Sequence, residues 1–182
     1  MAKAFKKILS CPVCVLALAL SASIIALAGA LTAQFVLELE PCILCVYQRI
    51  PFVIVILLSL VGLVFKSTRK PMIVLCGLAF FANSGLAFYH HGVEQQWWIS
   101  AFEACAVPES FLKPNAAEST EGFLAALLKT PSVPCAKIPW IDPLFGQSMA
   151  FWNIPYCIGA GLICVAHLLI KRSNYNGPAD KQ

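Results

Sequence analysis

The sequence predicts an all-α protein, an integral-membrane four-helix bundle with a long outward (periplasmic) loop between helices three and four. Three observations predict it. First, the 182-residue chain is 59% hydrophobic and only 12% charged, too apolar for an ordinary soluble domain of that length. Second, the apolar residues are concentrated: no charge occurs in Ile8–Leu37, Ile50–Phe65, Pro71–Val93 or Pro143–Ile170. A helix needs about 20 mostly apolar residues to cross a bilayer core. Third, the basic residues sort by side. Lys3, Lys6, Lys7, Lys66, Arg69, Lys70, Lys171, Arg172 and Lys181 fall on one face of a four-span arrangement, against Arg49, Lys113, Lys129 and Lys137 on the other. The richer side is cytoplasmic by the positive-inside rule. The net charge of +4 therefore reports topology and gives no reason to expect nucleic-acid binding.

Helix one is expected over 13–36. A cleaved signal peptide is the rival there, with the three N-terminal lysines as its basic region and Ala28-Gly29-Ala30 as its cleavage site. The apolar run is longer than a usual signal core and three more spans follow, so the segment is read as a span. Helix two, over 45–65, reaches spanning length only by starting near Cys45, which brings Arg49 to the membrane boundary. Lys66-Ser67-Thr68-Arg69-Lys70 makes a tight cytoplasmic turn into helix three, 71–90, and helix four covers 149–170. The expectation is one membrane domain, 1–182, with both termini cytoplasmic and periplasmic loops at about 37–44 and 91–148. The long loop carries Trp97, Trp98, Phe102, Phe111 and Trp140, which is not a disordered composition. Trp97 and Trp98 fit an interfacial aromatic belt. In Glu121–Lys129, the residues Phe123, Leu124, Leu127 and Leu128 share a helical face, suited either to the bilayer surface or to packing on the loop.

Nine cysteines divide by compartment. Cys42, Cys45, Cys105 and Cys135 face the oxidising side, and an even number permits two pairs in three possible connectivities. Adjacency favours Cys42 with Cys45, leaving Cys105 with Cys135. A CxxC ring is so small that it gains little loop-closure stabilisation, so it reads as a redox pair rather than a staple. The second pair either staples the loop or, beside a CxxC, serves as the other station of a relay; the neighbouring CxxC favours the relay. Cys11-Pro12-Val13-Cys14 lies at the cytoplasmic end of helix one, in a reducing compartment, and is assigned no role. Cys76, Cys157 and Cys164 fall within spans and read as small hydrophobes.

Arg49 stands four residues after Cys45, on the same helical face, where its cation would lower a thiol pKa; its alternative is to snorkel to the headgroups. His90 and His91 end helix three on the CxxC side, and two adjacent histidines do not make a metal-ligand pattern, so no metal is expected. Asn153 and Pro155 read as shaping the start of helix four.

Pro41-Cys42-Ile43-Leu44-Cys45-Val46-Tyr47-Gln48-Arg49 resembles the PCxLCxYxR signature of the DsbB disulfide-bond oxidases. Tyr89-His90-His91-Gly92-Val93-Glu94 before Trp97 and Cys105 is similar to the approach to that family's third cysteine. Cys135, Trp140, Gly146-Gln147-Ser148-Met149 and Trp152-Asn153 are similar to its run into helix four, so the resemblance spans about 13–170. It implies an inner-membrane, quinone-dependent protein-disulfide oxidoreductase that reoxidises a DsbA-like periplasmic thioredoxin-fold protein. The resemblance further implies that Cys105–Cys135 takes electrons from that partner through a mixed disulfide at Cys105. They pass to Cys42–Cys45, and Cys45 hands them to ubiquinone or menaquinone from the membrane pool. Arg49 matches the quinone-site arginine, and either His90 or His91 its histidine. A DsbA-type partner lies near about −120 mV, so its oxidation needs an oxidant as strong as a quinone. The rival readings are a membrane thiol reductase or vitamin K epoxide reductase-like enzyme, and a non-catalytic metal-handling membrane protein.

Overall fold

The structure, a computed structural model, describes residues 9–98, 135, 138 and 140–175, with backbone only for 171–175. Cys105, most of the long loop and the expected helix at 121–129 lie outside the described residues.

Helix α1 runs Pro12–Phe35 and opens on a proline, whose missing N–H costs nothing in a first turn. Helices α2 (Ile43–Tyr47) and α3 (Arg49–Val64) together form one span, Ile43–Val64, interrupted at Gln48. Pro51 causes the interruption, because it has no N–H to give the carbonyl of Tyr47 four residues back. After a short 3₁₀ turn at Lys66–Thr68, α4 runs Arg69–Glu94 and α5 Met149–Tyr175. Among the described residues the extended structure amounts to an isolated antiparallel bridge between Ile141 and Ser148. The fold is all-α, as the sequence predicts.

Four of these segments are long and apolar enough to cross a membrane. α4 packs along α5 and α3, α3 packs on α1, and α1 also touches α4 and α5, closing the bundle. Its centre holds Val15, Leu16, Phe52, Val55, Ile73 and Phe80. Outside, Ile25, Leu57, Leu78 and Leu162 are each more than half exposed. That much apolar surface is unfavourable in water and neutral in hydrocarbon, so the protein is a multi-pass membrane protein.

Small residues set the spacing of α4 and α5. A Cβ on Gly77 would stand 3.2 Å from Cys164 Cβ, and one on Gly161 would strike the Phe81 ring at 2.9 Å, the close approach that small residues allow between membrane helices. Helix three extends to Glu94, four residues past the expected His90, because His91, Gly92, Val93 and Glu94 are buried and need not end with the apolar run. At that end, Phe88, Tyr89, Trp97 and Trp98 form an aromatic cluster, with Trp98 stacked on Tyr89 at 6.0 Å, suited to a membrane–water boundary.

Candidate functional site

The dithiol sits where the break at Gln48 leaves a short helix of its own. Cys42 is the N-cap of α2, and its sulfur accepts the Cys45 backbone N–H at 3.3 Å. The same turn brings the two sulfurs to 3.1 Å, both as free thiols, so the CxxC is present as the dithiol. Either neutral thiol can donate to the other; once Cys42 ionises, Cys45 is the donor. That hydrogen bond is the largest reason that the Cys42 thiol is held well below its usual range. Burial opposes it, and a hydrogen bond from His90 adds to it. Cys42 is thus the sulfur prepared to exist as a thiolate.

His90, on α4, places Nε2 3.3 Å from Cys42 Sγ and Nδ1 2.9 Å from Gln48 Nε2. Gln48 Oε1 accepts from Asn153 Nδ2 on α5 at 2.9 Å. Asn153 Oδ1 accepts from the Cys157 thiol at 3.3 Å, and that sulfur accepts from Asn83 Nδ2 at 3.4 Å. Glu94 is buried between the two histidines, with its Oε1 3.7 Å from His90 Nε2 and Oε2 3.5 Å from His91 Nδ1. It also accepts from the Ser148 hydroxyl, tying the end of α4 to the start of α5. His91 turns away from the sulfurs onto Phe151 and Trp97, at 5.3 and 5.6 Å between ring centres. Of the two histidines, His90 meets the dithiol.

Cys135 is buried in one cluster with Cys42, Leu44 and Val93, and it is disulfide-bonded. A disulfide-bonded sulfur therefore lies in the same buried cluster as the first cysteine of the CxxC.

Cys45 opens the other way. With Arg49, Gln34, Phe52, Asn153 and Tyr156 it lines an apolar cleft of about 420 Å³ between α1, α3 and α5. Arg49 Nη1 donates to Gln34 Oε1 at 2.6 Å. Among the described residues no carboxylate lies within ion-pairing distance of it. Neither histidine lines this cleft. Gln48 and Glu94 carry no sequence signal beyond lying near the motif, and Asn153, read from sequence as shaping a helix start, is joined by hydrogen bonds to Gln48 and Cys157.

Residues 11–167 match the family model described as disulfide bond formation protein DsbB. The chain belongs to the DsbB family. It is 31% identical over 146 residues to disulfide bond formation protein B of Dechloromonas aromatica, covering 78% of this chain and 81% of that one. It is 33% identical over 130 residues to the protein of the same name in Shewanella loihica, covering 70% and 71%. An uncharacterized protein of Rickettsia prowazekii is 30% identical over 132 residues, covering 72% and 73%. DsbB membership makes this chain a membrane oxidoreductase of disulfide-bond formation.

Proposed function

We propose that the protein reoxidises a DsbA-type thioredoxin-fold partner and passes the electrons to a membrane quinone, ubiquinone or menaquinone. The observation that carries this reading is the division of the CxxC: Cys42 shares a buried cluster with the disulfide-bonded Cys135, whereas Cys45 lines the cleft that Arg49 also lines. By the distribution of basic residues, the dithiol end of the bundle faces the periplasm.

In this reading Cys105 is the disulfide partner of Cys135. The reduced partner's thiolate attacks Cys105, and its second thiol resolves the mixed disulfide, leaving Cys105 and Cys135 reduced and the partner oxidised. The Cys135 thiolate then attacks Cys42 of a Cys42–Cys45 disulfide, displacing the Cys45 thiolate into the cleft. Cys105 attacks Cys135 in turn and releases Cys42 as the thiolate, which His90 and Cys45 stabilise. Two electrons have moved from the partner to the CxxC, and the loop disulfide is restored.

The cleft fits a quinone head group. Its walls are mostly aliphatic and aromatic, its volume is that of a small-ligand site, and Arg49 supplies a cation for a carbonyl oxygen. A quinone bound there supplies the two-electron, two-proton oxidant that returns Cys42 and Cys45 to the disulfide. Arg49 also stabilises the Cys45 thiolate.

The test adds reduced DsbA-type protein to purified protein with ubiquinone or menaquinone and follows quinone absorbance. Quinone reduction that depends on both partner and Cys45 is expected. Absence of thiol-dependent quinone reduction overturns the reading. A Cys135→Ser variant is expected to accumulate a partner adduct through Cys105.

A further inference from the structure

Cys42 Sγ, Cys45 Sγ and His90 Nε2 lie within 4.8 Å of one another, and two thiolates with an imidazole are a common zinc ligand set. Whether they can close on a metal depends on which imidazole nitrogen carries the hydrogen. Asn153 Nδ2 donates to Gln48 Oε1 at 2.9 Å, so the nitrogen end of the Gln48 amide faces His90 Nδ1, also at 2.9 Å. An amide nitrogen offers only hydrogens, and Nδ1 must accept. The neutral ring then carries its hydrogen on Nε2, pointing at Cys42 Sγ 3.3 Å away. On its far side Asn153 Oδ1 accepts from the Cys157 thiol, which itself receives Asn83 Nδ2, so the hydrogen bonds run in one order from Asn83 to His90. A ring nitrogen that holds a hydrogen cannot ligate a metal.

We propose that Gln48, held by Asn153, is a positioning residue that commits His90 to donating a hydrogen bond to Cys42, and so keeps the dithiol–histidine cluster from closing on a thiophilic metal ion such as Zn²⁺. Gln48 lies between the site's two needs: a sulfur that can be ionised, and a sulfur that stays free for exchange. The geometry of the reduced dithiol alone places Gln48 in this role, whatever oxidant Cys45 meets.

Two substitutions reverse the hydrogen-bond order by different routes. Gln48→Glu presents an acceptor to Nδ1, which moves the hydrogen there and turns the Nε2 lone pair toward both sulfurs. Asn153→Asp accepts from the Gln48 amide nitrogen, so the Gln48 amide turns over and its oxygen meets Nδ1. Both are made in the full-length protein, reduced, in a Cys11→Ser, Cys14→Ser background that removes the other CxxC as a metal ligand. The readouts are the ¹⁵N shifts of the His90 ring nitrogens and the Zn²⁺ affinity by chelator competition. The parent is expected to show a protonated Nε2. Each variant is expected to show a protonated Nδ1 and to bind Zn²⁺ about tenfold more tightly or better, the scale on which outer-shell partners act at metal sites. Adding Cys42→Ser is expected to abolish the gain. A parent protonated on Nδ1, or equal Zn²⁺ affinity in the parent and the folded variants, overturns the proposal; if Gln48→Glu does not fold, Asn153→Asp decides it.

Discussion

Arg49 donates from Nη1 to the amide oxygen of Gln34 at 2.6 Å, joining α3 to α1 across the cleft that Cys45 lines. The neutral amide holds the guanidinium in place without cancelling its charge. An arginine free to snorkel would turn toward the headgroups; this one is held on Gln34, in the wall of the cleft that Cys45 also lines. In the proposed reaction it serves the oxidant and the Cys45 thiolate. Hydrogen bonds to charged groups contribute about 1.5–3 kcal/mol, so Arg49→Met is expected to lower kcat/KM for quinone by about ten- to a hundredfold. Gln34→Ala, which loosens the arginine without removing it, is expected to cost less. Quinone-dependent turnover across a range of quinone concentrations measures both, and an unchanged kcat/KM in Arg49→Met removes Arg49 from the site.

The depressed pKa of Cys42 gives a pH dependence whose sign is fixed. A lowered pKa means that the thiolate persists as pH falls through the range where an ordinary thiol is protonated, and disappears only in more acidic solution. The thiolate ultraviolet absorbance of the reduced protein, minus that of Cys42→Ser, is expected to show this step below the ordinary thiol range. Cys45→Ala removes the largest cause and is expected to move the step to higher pH. His90→Leu removes a smaller one and is expected to move it less. A step at the ordinary thiol position in the unsubstituted protein contradicts the geometry.

The spans were legible because the bilayer demands long uncharged runs, and α1, α3, α4 and α5 are written as such. The CxxC and Arg49 were legible because their spacing is local, and Cys45 and Arg49 line one cleft even though the helix breaks at Gln48 between them. What the sequence could not show is which residues meet across helices. His90 and His91 are equivalent as neighbours in a string. The rotation between successive helical residues sends one to Cys42 and the other to Phe151. Asn153 is 105 residues from Gln48, and nothing local to either marks the pair. Cys157, read as a small hydrophobe, is hydrogen-bonded to two asparagines, because a polar group inside a membrane bundle must find its partners there.

Two glycines separate the roles of close packing and flexibility. A Cβ at Gly77 meets Cys164 Cβ at 3.2 Å, whereas one at Gly29 meets nothing within 4 Å. Gly77→Val puts a branched side chain into the α4–α5 seam, and overpacking of this kind costs about 1–3 kcal/mol. Gly29→Ala is expected to stay within about 0.5 kcal/mol of the parent, as exposed substitutions do. Thermal unfolding in a single detergent compares the two. Equal Tm values would mean that α4 and α5 do not pack through Gly77.

Cys11 and Cys14 provide the sharpest separation between an oxidase and a reductase fed from the cytoplasm. Cys11 stands at the N-cap of α1 as Cys42 does at that of α2, though without a side-chain cap hydrogen bond, and the hydrogen bond from Cys14 holds its thiol below the usual range. Local chemistry alone would therefore make this a second reactive pair. Distance argues otherwise. Cys11 precedes a helix of 24 residues, about 36 Å long at 1.5 Å per residue, and Cys42 lies just beyond its far end. Thiol–disulfide exchange needs sulfur-to-sulfur contact, so the two pairs cannot pass electrons directly within one chain. The Cys11→Ser, Cys14→Ser variant is expected to oxidise the partner at the parental rate, and Cys42→Ser to abolish oxidation. Loss of activity in the first variant would put electron flow through Cys11 and Cys14 and favour the reductase.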